Sequence, residues 1–423
     1  MYLRTMKMVK SCPVTSKNMT DQPSGTLPLP EILRDDTARS VVAALTAAGA
    51  EVRFVGGCVR DVLSGATMGD VDLATSDMPE TVINLAEAAG LKAIPTGLKH
   101  GTITVVAEGR PFEVTTLRID VETDGRHAEV AFTDDWKADA ARRDFTFNAM
   151  SLRPDGAFFD YFDGRDDLAA GRVRFVGDAQ RRVAEDYLRV LRYFRFLARF
   201  GRGEPDTEAV KACRAASDQL ARLSIERVRN ELFKLFAAPN PVPTLGLMRE
   251  TGVLTAVLPD AGAMDVLVTL VGIDDRDPLR RLAALVPNSG ETSGRALKLS
   301  KVEQARLSAL APPCTVPDPG MDHMAQRQLL YDLGAERFTD LVLLAWAGDR
   351  QVHADAWRAM LQTAQTWEKP SLPVRGSDVL ALGVPPGERV GELVSAVEHW
   401  WREGNFEADR EACLARLREI AAS

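Results

Sequence analysis

The sequence predicts an α+β chain, in which an N-terminal head built on a small mixed sheet with helices is followed by all-helical lobes. Three observations predict it. Strand-like runs crowd between Arg53 and Thr116, the pattern past Phe162 is helical almost throughout, and Pro/Gly-rich breaks at 201–203, 239–243, 312–320 and 370–373 cut that helical part into pieces. The expected division is a disordered leader at 1–27, a head at 28–172, and helical segments at 173–240, 241–311 and 312–423.

In order along the chain, the first 20 residues carry Arg4, Lys7, Lys10 and Lys17 and no acid, which suits a disordered leader better than an amphipathic targeting helix. After Pro28 and Pro30, Glu31 to Ala48 has Leu, Val and Ala at helical spacing, and Gly49 closes it. The period then changes. Arg53 to Val55 and Asp70 to Leu73 alternate, Thr102 to Val106 and Phe112 to Thr116 are β-branched runs, and Pro79 to Ala89 supplies a helix between them. Beyond the head, Val183 to Phe200 has the spacing of one continuous amphipathic helix, and Pro385-Pro386-Gly387 opens another from Glu388 to Trp401.

Composition narrows the function classes. With 423 residues, 45% hydrophobic and 26% charged, the chain can bury several cores, which excludes a disordered, collagen-like or disulfide-scaffold protein. No apolar run reaches the roughly 18 residues of a bilayer-spanning helix, so no membrane association is expected. Five scattered cysteines without a CxxC pair suit a reducing, cytoplasmic setting, with no disulfide partner and no zinc spacing. A net charge of −8 gives a polyanion no long-range attraction, so any nucleic-acid site must be a local basic patch. Such a patch lies from Ala141 to Arg202, where 13 Lys+Arg stand against 9 Asp+Glu.

The chemistry concentrates between Phe54 and Asp72. A strand ending in Gly56-Gly57 lets backbone approach a ligand closely, the helix that follows aims free N–H groups at phosphate, and Arg60 adds charge one turn in. Asp70 and Asp72, two apart, project from a strand to one face and can jointly hold divalent cations. Glu113 on another strand can complete a two-metal site for in-line phosphoryl chemistry. Taken singly, each has a plainer reading: Gly-Gly as a turn, Asp-x-Asp as a solvated strand face.

Together these motifs resemble the nucleotidyltransferase superfamily of the DNA polymerase beta type. They are most similar to its bacterial class II branch, which holds the tRNA CCA-adding enzymes and poly(A) polymerases. The likeness continues through Arg142-Arg143-Asp144-Phe145-Thr146-Phe147-Asn148-Ala149-Met150 and through Glu185-Asp186-Tyr187-Leu188-Arg189 to Phe196, and covers Leu27 to about Pro259. Arg375 to Gly387 resembles the tail of bacterial CCA-adding enzymes.

The resemblance implies metal-binding carboxylates at Asp70, Asp72 and Glu113, with two Mg2+ ions as cofactors. Nucleotide contacts are implied at Gly56, Gly57, Arg60, Arg143, Asp144, Asn148, Asp186, Arg189, Arg192 and Arg195, the stretch Arg143 to Asn148 facing the ribose. It names the four segments head, neck, body and tail, with the neck on nucleotide and RNA and the tail on tRNA. The implied reaction is template-independent addition of CCA to the tRNA 3′ end from CTP and ATP. The alternatives are poly(A) polymerase, a CC-only or A-only enzyme, or a non-catalytic RNA-binding protein. A metal-dependent phosphohydrolase appendage is not expected, because no His is followed by Asp.

On a continuous 183–200 helix, Asp186 and Arg189 are surface neighbours. Their plain reading is an i,i+3 ion pair. Their chemical reading is a base template, with a carboxylate accepting from the amino group of C or A and a guanidinium donating to the adjacent ring acceptor. Tyr193 and Phe196 fall on the polar side of the same wheel, where they either stack bases or cover a neighbouring lobe. Ile119 to Phe132, with Arg126 and His127, resembles the flexible loop of the family; its plainer reading is a surface loop.

Overall fold

Alternation in the head sorts side chains onto two faces of one sheet, and this sorting leaves a carboxylate-bearing face uncovered. The computed structural model describes residues 21–123, 128–311, 316–349 and 353–422. The chain divides into two compact units, Met1–Pro259 and Asp260–Ser423.

The strands of the first unit are β1 (Gly25–Thr26), β2 (Val52–Val55), β3 (Val71–Thr75), β4 (Lys92–Gly97), β5 (Thr102–Ala107), β6 (Arg110–Thr116), β7 (Arg118–Thr123), β8 (Ala128–Phe132), β9 (Ser151–Leu152) and β10 (Ala157–Phe159). Eight of them form a mixed sheet in the order β1-β10-β9-β2-β3-β6-β5-β4, and β7 and β8 make a separate hairpin. Among the described residues only β3 and β6 pair in parallel, with Asp72 opposite Glu113. On β5 and β6 the alternation buries Ile103, Val105, Phe112 and Val114, while Thr104 and Glu113 face the other way.

The helices of this unit are α1 (Glu31–Arg34), α2 (Asp36–Thr46), α3 (Gly57–Ser64), α4 (Pro79–Ala88), α5 (Trp136–Ala141), α6 (Gly164–Ala170), α7 (Ala179–Glu185), α8 (Leu188–Phe200), α9 (Thr207–Ala215), α10 (Ile225–Phe236), α11 (Val242–Glu250) and α12 (Val253–Val257). The run expected as one helix from Glu31 is two, because Asp35 leaves the helical region and caps α2 by accepting from the Ala38 N–H. α2 and α4 pack on the sheet. α7 to α12 follow without strands, as the sequence predicts past the head.

The leader reading needs correcting at its end. Gly25–Thr26 is not loose but pairs with β10, and Asp21 is tied to the buried Arg53 at 2.8 Å. Arg53 lies between the Trp136 and Phe159 rings, a site that fixes the segment ahead of α1. Residues 1–20 lie outside the described residues.

The second unit is helical. One core gathers Leu330, Phe338, Val342, Trp357 and Met360, and another Val379, Leu393, Val397, Trp401 and Leu417. Asp340, fully buried, is held by Arg280 and Arg306 at 2.8 and 2.7 Å. The expected helix after Pro385-Pro386-Gly387 runs from Glu388 to Glu403. Among the described residues no helix is long and apolar enough to cross a membrane, and Cys58, Cys213 and Cys413 are free and buried.

Candidate active site

The parallel pairing of β3 with β6 brings two of the three expected carboxylates together. Adjacent strands lie about 4.8 Å apart, so residues in register share a face; Asp72 and Glu113 are such a pair. Asp70 sits one residue ahead of β3 rather than on it, exposed like Glu113, while Asp72 is partly buried. Burial, helped by the Glu113 charge and by Asp70, pushes the Asp72 carboxyl up to about 6, against the opposing pull of Arg143 and Arg60. Among the described residues none of the three carboxylates has a hydrogen-bond or ion-pair partner.

The raised Asp72 carboxyl beside two further unpaired acids fits a cation site, since a divalent ion relieves the repulsion around Asp72. Yet among the described residues no three His, Cys, Asp or Glu side chains form a ready-made cage. The two observations agree for Mg2+, which is ordinarily held by one or two carboxylates together with substrate phosphates rather than by an all-protein cage.

β2 delivers the chain to Gly56, whose φ of 69° and ψ of −122° only glycine adopts readily. A Cβ there would stand 2.7 Å from Arg143 Nη1. Gly57 starts α3, and Arg60 follows inside the first turn. Arg60 is buried: its Nε and Nη2 donate to Asp61 Oδ1 at 2.9 and 2.8 Å, its Nη1 donates to Asn148 Oδ1 at 2.9 Å, and it faces the Phe196 and Phe200 rings. Asn148 Nδ2 in turn donates to Asp144 Oδ1 at 2.9 Å, and Asp144 Oδ2 accepts from Arg192 Nε at 2.6 Å. Burial would raise the Asp144 carboxyl, but Arg192 and the Asn148 bond outweigh it and hold it below the usual carboxylate range. Arg143 reaches Asp139 at 3.4 Å and the Asn148 carbonyl at 3.5 Å. Five of the expected nucleotide residues are therefore joined through one buried network.

The helix expected from Val183 to Phe200 is broken. Asp186 is extended, with φ −154° and ψ 108°, and its Oδ1 accepts from the Leu188 N–H at 3.1 Å, a local bond that competes with helix and ends α7. Asp186 and Arg189 are consequently not a side-chain pair. Asp186 Oδ2 accepts from Arg227 Nη2 of α10 at 2.7 Å. Arg189 Nη1 donates to Glu185 Oε2 at 2.6 Å and to the Arg182 carbonyl at 2.9 Å, and Nη2 to the Arg142 carbonyl at 3.2 Å. Arg195 Nε donates to Glu231 Oε2 at 2.5 Å.

Of the two readings for Tyr193 and Phe196, packing holds rather than base stacking: both are buried, in a cluster with Phe145, Phe147, Phe175 and Phe200. The segment 119–132 is mostly the β7–β8 hairpin; Arg126 and His127 lie outside the described residues.

Residues 52–174 match the family model described as Poly A polymerase head domain, and 204–264 match the one described as probable RNA and SrmB-binding site of polymerase A. The chain is 36% identical over 382 residues to the mitochondrial CCA tRNA nucleotidyltransferase 1 of Danio rerio, covering 87% of each chain. The chain belongs to the class II CCA-adding enzyme and poly(A) polymerase family. Within this family it is 33% identical over 404 residues to the CCA-adding enzyme of Geobacillus stearothermophilus, covering 90% of this chain and 96% of that one. The solved Bacillus stearothermophilus CCA-adding enzyme in complex with CTP superposes with a TM-score of 0.74 at 30% identity, over 91% of this chain and 97% of the other.

Family motifs thus supply the charged groups, and other residues hold them in place. Sequence reasoning missed Asp61, Asp139, Glu185, Arg227 and Glu231 in this role. Glu185 stands four before Arg189 and was findable by helix spacing; Arg227 and Glu231 come from a helix 41 and 36 residues beyond their partners, which spacing alone cannot locate.

Proposed function

We infer that the protein is a CCA tRNA nucleotidyltransferase, rebuilding the tRNA 3′-terminal CCA from CTP and ATP without a nucleic-acid template. The observation that carries this reading is the carboxylate face Asp70–Asp72–Glu113 beside the Gly56–Gly57 turn, in a chain that matches CCA-adding enzymes over nine-tenths of its length. Asp70, Asp72 and Glu113 hold two Mg2+ ions in this reading. When bound, the ions supply charge neutralisation for the attacking 3′ oxygen and the departing pyrophosphate.

The chain's own groups do the rest. The N–H groups at the start of α3 receive phosphate oxygens. Arg143, less buried than Arg60 and next to Gly56, adds charge there, and the Arg60–Asn148–Asp144–Arg192 network holds those side chains in place behind the glycine turn. Asp186 accepts from the amino group of C or A, and Arg189, held by Glu185, donates to the ring nitrogen beside it; U and G present the opposite pattern at that edge.

We assign 28–172 to the head, 173–240 to the neck, 241–311 to the body and 312–423 to a tRNA-binding tail. Free buried thiols suit a reducing cytoplasm. The head-domain model is shared with poly(A) polymerases, so the decisive test uses one nucleotide at a time. With CTP alone, tRNA lacking CCA should gain two residues and stop; with ATP alone, tRNA ending in CC should gain one. Long A runs on an oligo(A) primer, with poor use of CTP, would make poly(A) polymerase the correct reading.

A further inference from the structure

Base reading at Asp186 depends on where its carboxylate points, and the chain fixes that direction from outside its own turn. The side chain leaves an extended residue between two helices, so no helical packing constrains it. Its first anchor is local, the Leu188 N–H on Oδ1 at 3.1 Å. The second comes from α10, where Arg227 Nη2 donates to Oδ2 at 2.7 Å, and this contact is partly open to solvent, with Arg227 37% and Asp186 28% exposed at the side chain. One turn further along α10, Glu231 holds Arg195 and lies 3.9 Å from Arg192. α10 therefore presents an Arg and a Glu, four residues apart, to oppositely charged groups on the α7–α8 segment.

We propose that Arg227 is a specificity-determining positioning residue: it sets the plane of the Asp186 carboxylate so that its remaining lone pairs meet the amino group of C or A. A carboxylate held at one oxygen only can turn about its Cβ–Cγ bond. Once turned, it no longer confronts the carbonyl oxygen of U or G with fixed negative charge, and the penalty against those bases falls. Arg is suited to the task because its planar guanidinium fixes direction as well as charge; Lys keeps the charge alone.

This inference rests on Asp186 as base reader, and the experiment separates the two. Single C addition to tRNA lacking CCA is measured with CTP and with UTP, for the full-length wild type, Arg227→Ala, Arg227→Lys and Asp186→Ala, with thermal melts of each. Arg227→Ala should lower the CTP-over-UTP ratio of kcat/KM about tenfold, the scale of one base contact. Arg227→Lys should restore part of that ratio, and the melting temperature of both should stay near wild type because the pair is about one-third exposed to solvent. Relaxed choice in Asp186→Ala but an unchanged ratio in Arg227→Ala, whatever its turnover or melting, overturns the role of Arg227. An unchanged ratio in Asp186→Ala overturns the base-reading role of Asp186, and this inference with it.

Discussion

Arg60 on α3 donates to the side-chain oxygen of Asn148 at 2.9 Å, and through it the glycine turn is tied to Asp144 and Arg192. Asn148 is the one uncharged member of that chain. Its amide serves both neighbours because it offers an acceptor to the guanidinium and a donor to the carboxylate at once.

Asn148→Ala leaves Arg60 and Asp144 each without one buried partner. The expected loss is on the order of 3 kcal/mol, the cost of stranding two such groups, read as a lower urea midpoint with an unchanged slope. A change within about 0.5 kcal/mol would mean that water replaces the amide.

Asp72 carries a stability cost whose sign is fixed by its raised carboxyl. In the folded chain it keeps its proton up to about 6, and in the unfolded chain only to about 3.8. Between those values the folded state binds more protons, so stability falls as pH rises through the window, and the cost is fully present above it. Without divalent metal at pH 7.5, Asp72→Asn should therefore be more stable than wild type, by at most about 3 kcal/mol for a shift of this size. The same substitution should lower turnover by about three orders of magnitude or more. Equal melting temperatures for the two metal-free proteins would contradict the crowding of the three carboxylates.

Phe196 is core. Phe196→Ala should cost about 3 to 5 kcal/mol, as for other large buried rings, and RNA affinity of the folded fraction should change little. Loss of RNA binding with an intact melting temperature would restore the stacking role.

These tests follow the line between what the sequence carries and what it does not. The strands around Gly56-Gly57 and Asp72 were legible because alternation and glycine pairs are local signals, and the family motifs named the acids and arginines. The register of Asp72 against Glu113 was not local, since it joins strands 41 residues apart. The break at Asp186 was hidden because apolar spacing from 183 to 200 is compatible with one helix, while a side chain bonding its own backbone leaves no mark in periodicity. The wheel could not choose between stacking and packing for Tyr193 and Phe196 for a related reason: it sets Arg192 on the polar side and Arg195 at the boundary, but their pairing with Asp144 and Glu231 lets the aromatics beside them be buried.

The central claim is that one site takes C twice and then A, and the most direct measurement is the sequence of tRNA 3′ ends. A transcript lacking CCA is incubated with the full-length protein, Mg2+ and all four nucleoside triphosphates, and the ends are read individually. The account predicts that nearly all extended molecules end in CCA and go no further. Ends that stop at CC, continue as A runs, or contain U or G at the first two positions would contradict it.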